Sequence, residues 1–144
     1  MEIRKATIKD LKEIEKIFKR EYSKFPYNEK WTKKTSLLKI KEYFRDNVIF
    51  VLEYEKKIIG FIIGHIEIWD KGDEGFIDEV VVLSKFQKKG YGKILLNYLI
   101  NCFKKKNCYS LGLMCNPESK AFKIYKKMGF NKPKNLIFMT KKLK

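Results

Sequence analysis

Two adjacent carboxylates and a glycine-containing turn are the residues of this sequence best placed to do chemistry. Asp78 and Glu79 lie inside the apolar run at residues 76–83, which has strong β-propensity. A strand sends successive side chains to opposite faces, so the two carboxylates are expected on opposite faces, with Asp78 beside Val80 and Val82. A carboxylate so placed, or a water it holds, can take a proton from an incoming nucleophile. The turn follows at once: Gln87-Lys88-Lys89-Gly90-Tyr91-Gly92 runs into residues with helical spacing, Ile94, Leu95, Leu99, Ile100 and Phe103. The first N–H groups of a helix have no intrahelical partner, and with the helix dipole they form an anion site. Gly90 and Gly92 let the backbone approach a phosphate without an intervening Cβ. Lys88, Lys89 and Lys93 add positive charge, so the expected ligand carries a phosphate, most simply a pyrophosphate.

Known phosphate and nucleotide signatures sort the possibilities. A dinucleotide fingerprint needs a glycine where this chain has Leu95, and a Walker loop needs lysine where it has Tyr91. Lys89-Gly90-Tyr91-Gly92 opens like the RNA-recognition signature, but Lys93 and Leu96 then stand where aromatic residues belong. A ligand-free strand-to-helix turn is the structural alternative.

These residues must be positioned by the elements around them. The pattern predicts a short strand at residues 3–6, then a helix capped by Asp10 and carrying Leu11, Ile14, Ile17, Phe18 and Tyr22. An aromatic loop follows at residues 24–35. A second helix is expected from a cap at Thr35 or Ser36. Strands at 48–54 and 58–69 read as a hairpin, followed by a turn at 70–75 and the strand at 76–83. After the glycine turn and its helix come a strand at 109–115, a helix opened by Pro117 and ended by Gly129, and a last strand at 136–143. The order β-α-α-β-β-β-α-β-α-β predicts one α/β domain over residues 1–144, a mixed and mostly antiparallel sheet with helices on both faces.

At this point the sequence resembles a family. Val82-Leu83-Ser84-Lys85-Phe86-Gln87-Lys88-Lys89-Gly90-Tyr91-Gly92 is similar to motif A of the GNAT superfamily of N-acetyltransferases. Residues 116–130, with Ala121, Tyr125, Gly129 and Phe130, resemble the family's motif B. The resemblance implies acetyl-CoA as donor and a primary amine of a small molecule or peptide as acceptor. It implies that Gln87 and the N–H groups of residues 89–93 hold the pyrophosphate, and that Val80 and Val82 pair with the pantetheine arm as if it were an added strand. The strand at 109–115 would splay away to make room. Tyr125 would protonate the departing thiolate. Asp78 is the first choice of base, because bases on this strand in the family usually share the face of Val80 and Val82. Glu79 is kept, since a bulge could re-aim it. Ser84 stands where the family commonly has proline. Glu118 replaces the asparagine often found seven residues before the tyrosine, and Asn116 could reach the same cofactor groups. Leu113 replaces a glutamate that serves as base in some members.

Composition narrows the partners. Lys+Arg 33 against Asp+Glu 17 gives a formal charge of +16, and only Arg4, Arg20 and Arg45 are arginines. Lysine spread over the whole chain reads as a solvated surface rather than a nucleic-acid site, which favours arginine. A CoA-binding module without activity, or a basic nucleic-acid-binding module, is the alternative from another class. Cys102, Cys108 and Cys115 lack metal-ligand spacing, so no metal is expected, and three cysteines form no disulfide framework. His65, the one histidine, is expected as a satisfied strand residue. Phe25, Tyr27 and Trp31 are the acceptor-pocket candidates. With no apolar run near membrane-spanning length, no membrane partner is expected; a cytoplasmic protein, monomer or homodimer, is the default.

Overall fold

A computed structural model describes all residues, 1–144. They form two compact units, Met1–Met114 and Cys115–Lys144. No helix is long and apolar enough to cross a membrane.

The first unit holds a five-stranded sheet in the order β1 (Glu2–Lys5), β2 (Val48–Tyr54), β3 (Lys57–Trp69), β4 (Gly72–Val82), β5 (Ser110–Leu113). Neighbouring strands are antiparallel except β4 and β5, which run parallel. Helices α1 (Leu11–Tyr22) and α2 (Lys33–Asp46) cover one face. Their apolar stripe of Ile14, Ile17, Phe18, Ile40 and Tyr43 packs on Ile49, Val51, Phe61, Ile63 and Val81. Helix α3 (Tyr91–Lys105) covers the other face with Leu95, Leu99 and Phe103. The approach there is close: a Cβ on Gly75 would lie 2.4 Å from the Phe103 ring, so only glycine fits.

Three boundaries differ from the sequence reading by three residues or more. Helix α2 starts three residues early because Thr32 caps it. The Thr32 hydroxyl accepts the Thr35 N–H at 3.1 Å, and the Thr35 hydroxyl accepts the Thr32 N–H at 3.0 Å. Strand β4 starts at Gly72 rather than 76, since Trp69 pairs with Gly72 and the turn shrinks to Asp70-Lys71. In the second unit α4 (Lys120–Lys127) begins after Ser119, not at Pro117.

The expected last strand is absent. Residues 131–144 carry no regular element, and Leu136, Ile137, Phe138 and Met139 are each at least 69% exposed. β-propensity makes a segment ready to pair, but a strand exists only when a neighbour supplies its hydrogen bonds.

Candidate active site

The site begins with a defect in the β3–β4 ladder. Ile63 pairs with Glu79 and Gly64 with Ile77, leaving Asp78 as an extra residue on β4. This β-bulge overturns the expectation of opposite faces: both carboxylates point to the α1–α2 face. Asp78 is thereby taken out of phase with Val80 and Val82, whose face it was expected to share. The extra residue re-aims the strand by one position, which strict alternation cannot anticipate.

Glu79 accepts the hydroxyl of Tyr22 on α1 and, at 2.9 Å, that of Tyr43 on α2. Burial raises its pKa above the usual carboxylate value, and the two phenols only partly oppose that shift. Burial and the neighbouring Glu79 charge likewise push the Tyr43 phenol up, so it stays a donor. Around this pair the aromatic loop is organised. Tyr27 packs edge-on against Tyr22 at 4.9 Å, and Trp31 against Phe18 at 5.0 Å, while Phe25 is exposed. Of the three acceptor-pocket candidates, Tyr27 is the one in ring contact with a partner of Glu79.

Asp78 belongs to a different chain of bonds. Its Oδ2 accepts the Asn47 amide at 2.7 Å and meets His65 Nδ1 at 2.7 Å, while Oδ1 has no hydrogen bond. His65 Nε2 meets Glu67 Oε1 at 2.9 Å, and the Trp69 indole donates to the other Glu67 oxygen at 3.1 Å. Burial alone would lower the imidazole pKa, but the bonds to Asp78 and Glu67 outweigh it, and the net direction is upward. His65 is therefore a satisfied strand residue, as expected, but its partner is the bulged carboxylate. No spacing in the sequence signals that link, because Asn47, His65 and Asp78 come from three separate stretches of chain.

The same strand leads to the glycine turn. Strand β5 pairs with β4 only from Glu74 to Ile77, so β4 has an open edge from Asp78 onward. Leu83 N–H bonds to Ile59 of β3, which by alternation turns the peptide groups of Val80 and Val82 toward that open edge. Gln87 folds back, its amide donating to the Val82 carbonyl at 2.7 Å. Lys88 and Gly90 both take positive φ, 62° and 85°, and Gly90 begins α3 without any side-chain cap. The first α3 hydrogen bond recorded at this end is Ile94 N–H to Gly90 C=O. The N–H groups of Tyr91, Gly92 and Lys93 therefore lie free of the helical ladder. A Cβ on Gly90 or Gly92 meets nothing within 4 Å, so no side chain crowds the backbone at this helix start. The ammonium groups of Lys85 and Lys89 lie 5.2 and 5.8 Å from the Phe86 ring.

Sequence reading missed what fixes this turn. Glu21, buried on α1, accepts the Ser84 N–H at 3.0 Å and its hydroxyl at 2.7 Å, with Lys24 at 3.2 Å. Ser84 thus ties the exit of β4 to α1, a bond that proline at this position could not make. In the second unit the Asn116 side chain accepts the Glu118 N–H at 2.9 Å, an Asx turn ahead of α4. Tyr125 is buried on α4, its ring edge-on to Phe130 at 5.9 Å.

The chain belongs to the acetyltransferase (GNAT) family, whose pattern matches residues 11–130. A glucosamine 6-phosphate N-acetyltransferase of Arabidopsis thaliana is 35% identical over 97 residues, spanning 64% of this chain and 64% of that protein. A solved structure of the enzyme of that name from the same organism is 29% identical, covers 99% of this chain and 98% of its own, and has a TM-score of 0.73. A possible acetyltransferase from Clostridium difficile 630 shares the fold at TM-score 0.85 and 20% identity, with 99% and 98% covered. An aminoglycoside N-acetyltransferase in complex with CoA shares it at 0.77 and 20% identity, with 97% and 93% covered.

Proposed function

We propose that this chain moves an acetyl group from acetyl-CoA directly onto a primary amine of a small molecule or a peptide. The observation that carries the reading is a continuous path: bulged carboxylates, then the open β4 edge, then the uncapped start of α3. The donor's pyrophosphate sits on the N–H groups of Lys89, Gly90, Tyr91, Gly92 and Lys93, with Lys88 adding charge and Gln87 releasing Val82 to join it. The pantetheine arm pairs with Val80 and Val82 as an added strand. By the family resemblance, Asn116 is a further cofactor contact. An aminoglycoside enzyme of this fold that binds CoA supports the donor. The glucosamine 6-phosphate enzyme supports an amine acceptor.

In this scheme Asp78 takes the acceptor's proton through Oδ1, the oxygen that Asn47 and His65 leave open. Glu79, held by Tyr22 and Tyr43, places negative charge beside the incoming ammonium. The neutral amine attacks the thioester carbonyl carbon, a C–N bond forms, and a backbone N–H near Val80 stabilises the oxyanion. The C–S bond then breaks, Tyr125 gives its phenolic proton to the departing thiolate, and the second proton of the new amide nitrogen passes to solvent, from which the phenolate is reprotonated.

Release of free thiol from acetyl-CoA, measured across a panel of amines headed by glucosamine 6-phosphate, tests the scheme. One or more amines should be turned over, and Tyr125→Phe should lower kcat roughly 100-fold while leaving donor affinity nearly unchanged. Asp78→Asn should lower the rate and flatten its rise from acid toward neutral pH. Donor binding without turnover of any amine would leave an idle CoA-binding module. Nanomolar RNA binding in physiological salt, abolished by Tyr91→Ala, would leave a nucleic-acid binder.

A further inference from the structure

The two oxygens of Asp78 keep unequal company. Oδ2 takes two donors, the Asn47 amide and His65 Nδ1, each at 2.7 Å, and Oδ1 takes none. The side chain is 14% exposed. A carboxylate held only for stability gains most by spreading its donors over both oxygens, because a desolvated lone pair left bare is costly. Here both donors converge on one oxygen and leave the other for something else. They also stand on fixed elements. Asn47 ends α2, its N–H bonded to the Tyr43 carbonyl. His65 lies inside β3 opposite Phe76 of β4, whose ring centroid is 5.3 Å from that of the imidazole.

The imidazole has two unlike neighbours. Nδ1 faces Asp78, while Nε2 meets Glu67 Oε1 at 2.9 Å, on a carboxylate that is 48% exposed. Ionised carboxylates only accept, so both contacts together need both ring N–H groups, which is the imidazolium. When it loses a proton, one contact loses its donor. Glu67 can turn to water and Asp78 cannot, so the proton leaves Nε2 and the Nδ1–H bond to Asp78 stays. The other titratable groups beside Asp78 are Glu79, next to it on β4, and the Tyr43 phenol of α2, which donates to Glu79. Neither bonds Asp78 or the imidazole.

We infer that His65 is a positioning residue for the transfer: its Nδ1–H, kept in both protonation states, fixes Oδ2 of Asp78 and leaves Oδ1 to face the acceptor. The inference rests on the reading of Asp78 as base. The acceptor's N–H bond breaks, its electron pair stays on nitrogen, and the proton goes to Oδ1 and later to solvent; the imidazole gains and loses nothing in that step. Asp78 faces a cation at low pH and a neutral donor once the imidazole has titrated, and beside the neutral donor it is the stronger base.

NMR of the imidazole nitrogens reads the bond with no acceptor present. Above the titration midpoint the remaining proton should sit on Nδ1, whereas free histidine in water holds it mainly on Nε2; in Asp78→Asn it should return to Nε2. Kinetics with acetyl-CoA and the fastest amine of the panel read the role. His65→Leu supplies no donor, and kcat should fall roughly tenfold or more with acetyl-CoA affinity unchanged. His65→Asn sets an amide N–H near the place of Nδ1 and should recover most of that loss. In an Asp78→Asn background His65→Leu should cost about twofold at most, because its effect runs through the carboxylate. An Nε2–H tautomer, a full-speed His65→Leu enzyme beside a slow Asp78→Asn one, no recovery in His65→Asn, or an equal loss in both backgrounds would each overturn the inference and leave Asp78 as base. A full-speed Asp78→Asn enzyme would overturn the base itself, and this inference with it.

Discussion

Gly92→Ala should make the free protein more stable and its donor binding weaker. Gly92 lies in the first turn of α3, and a Cβ there meets no atom within 4 Å. No steric term opposes the substitution. Alanine also fixes a helical backbone at lower entropic cost than glycine, which stabilises by about 0.5–1 kcal/mol. The same methyl group projects over the N–H donors that the pyrophosphate would use. Pushing a phosphate oxygen off one such charge-assisted bond costs roughly 1.5–3 kcal/mol, or at least tenfold in affinity. Stability and donor affinity should therefore move in opposite directions in one variant. The urea midpoint should rise, and the dissociation constant for acetyl-CoA by calorimetry should rise too. Gly90→Ala is the control: its φ of 85° penalises any side chain by about 1 kcal/mol, so that variant should lose both stability and affinity. If Gly92→Ala stabilised the protein and bound acetyl-CoA as well as the parent, the donor's phosphates would not sit at this helix start. If it destabilised the protein, the free space at the Gly92 Cβ position would be refuted.

Two further expectations concern the supports of the site. Ser84→Pro should cost about 2–4 kcal/mol in chemical denaturation, because buried Glu21 loses both an N–H and a hydroxyl donor. The backbone itself is suited to proline, with Leu83 at φ −52° and ψ 135°, so unchanged stability would mean that the Glu21 bonds contribute nothing. His65, as the single histidine, gives one imidazole titration by NMR. Its midpoint should lie above 6.5 and should fall in Asp78→Asn. Because its folded pKa is raised, the stability it contributes is fully present below 6.5 and is lost as pH rises through the folded value. A midpoint at or below 6.5 would refute the paired imidazole.

Much of the fold was legible because periodicity is local. The stripes of α1 and α3, the β2–β3 hairpin and the glycine turn each reside in a few consecutive residues. The phosphate turn is legible for the same reason, since its chemistry is made of backbone groups whose disposition Gly90 largely dictates. The carboxylates were legible as residues but not as a geometry. Asp78 and Glu79 share a face only because the β3–β4 ladder slips by one residue. That slip is a property of two strands in register, not of either sequence.

The partners are further beyond reach. Tyr22, Tyr43, Asn47 and His65 meet Asp78 and Glu79, and Glu21 meets Ser84, across 13 to 63 residues of chain. Such contacts are decided by how helices and strands pack, because a side chain's neighbours in space carry no signature in its neighbours along the chain. The segment at 136–143 marks the same divide from the other side. Its sequence determines that it is ready to be a strand; whether it becomes one depends on which edge reaches it, since a ladder's hydrogen bonds belong to two segments at once.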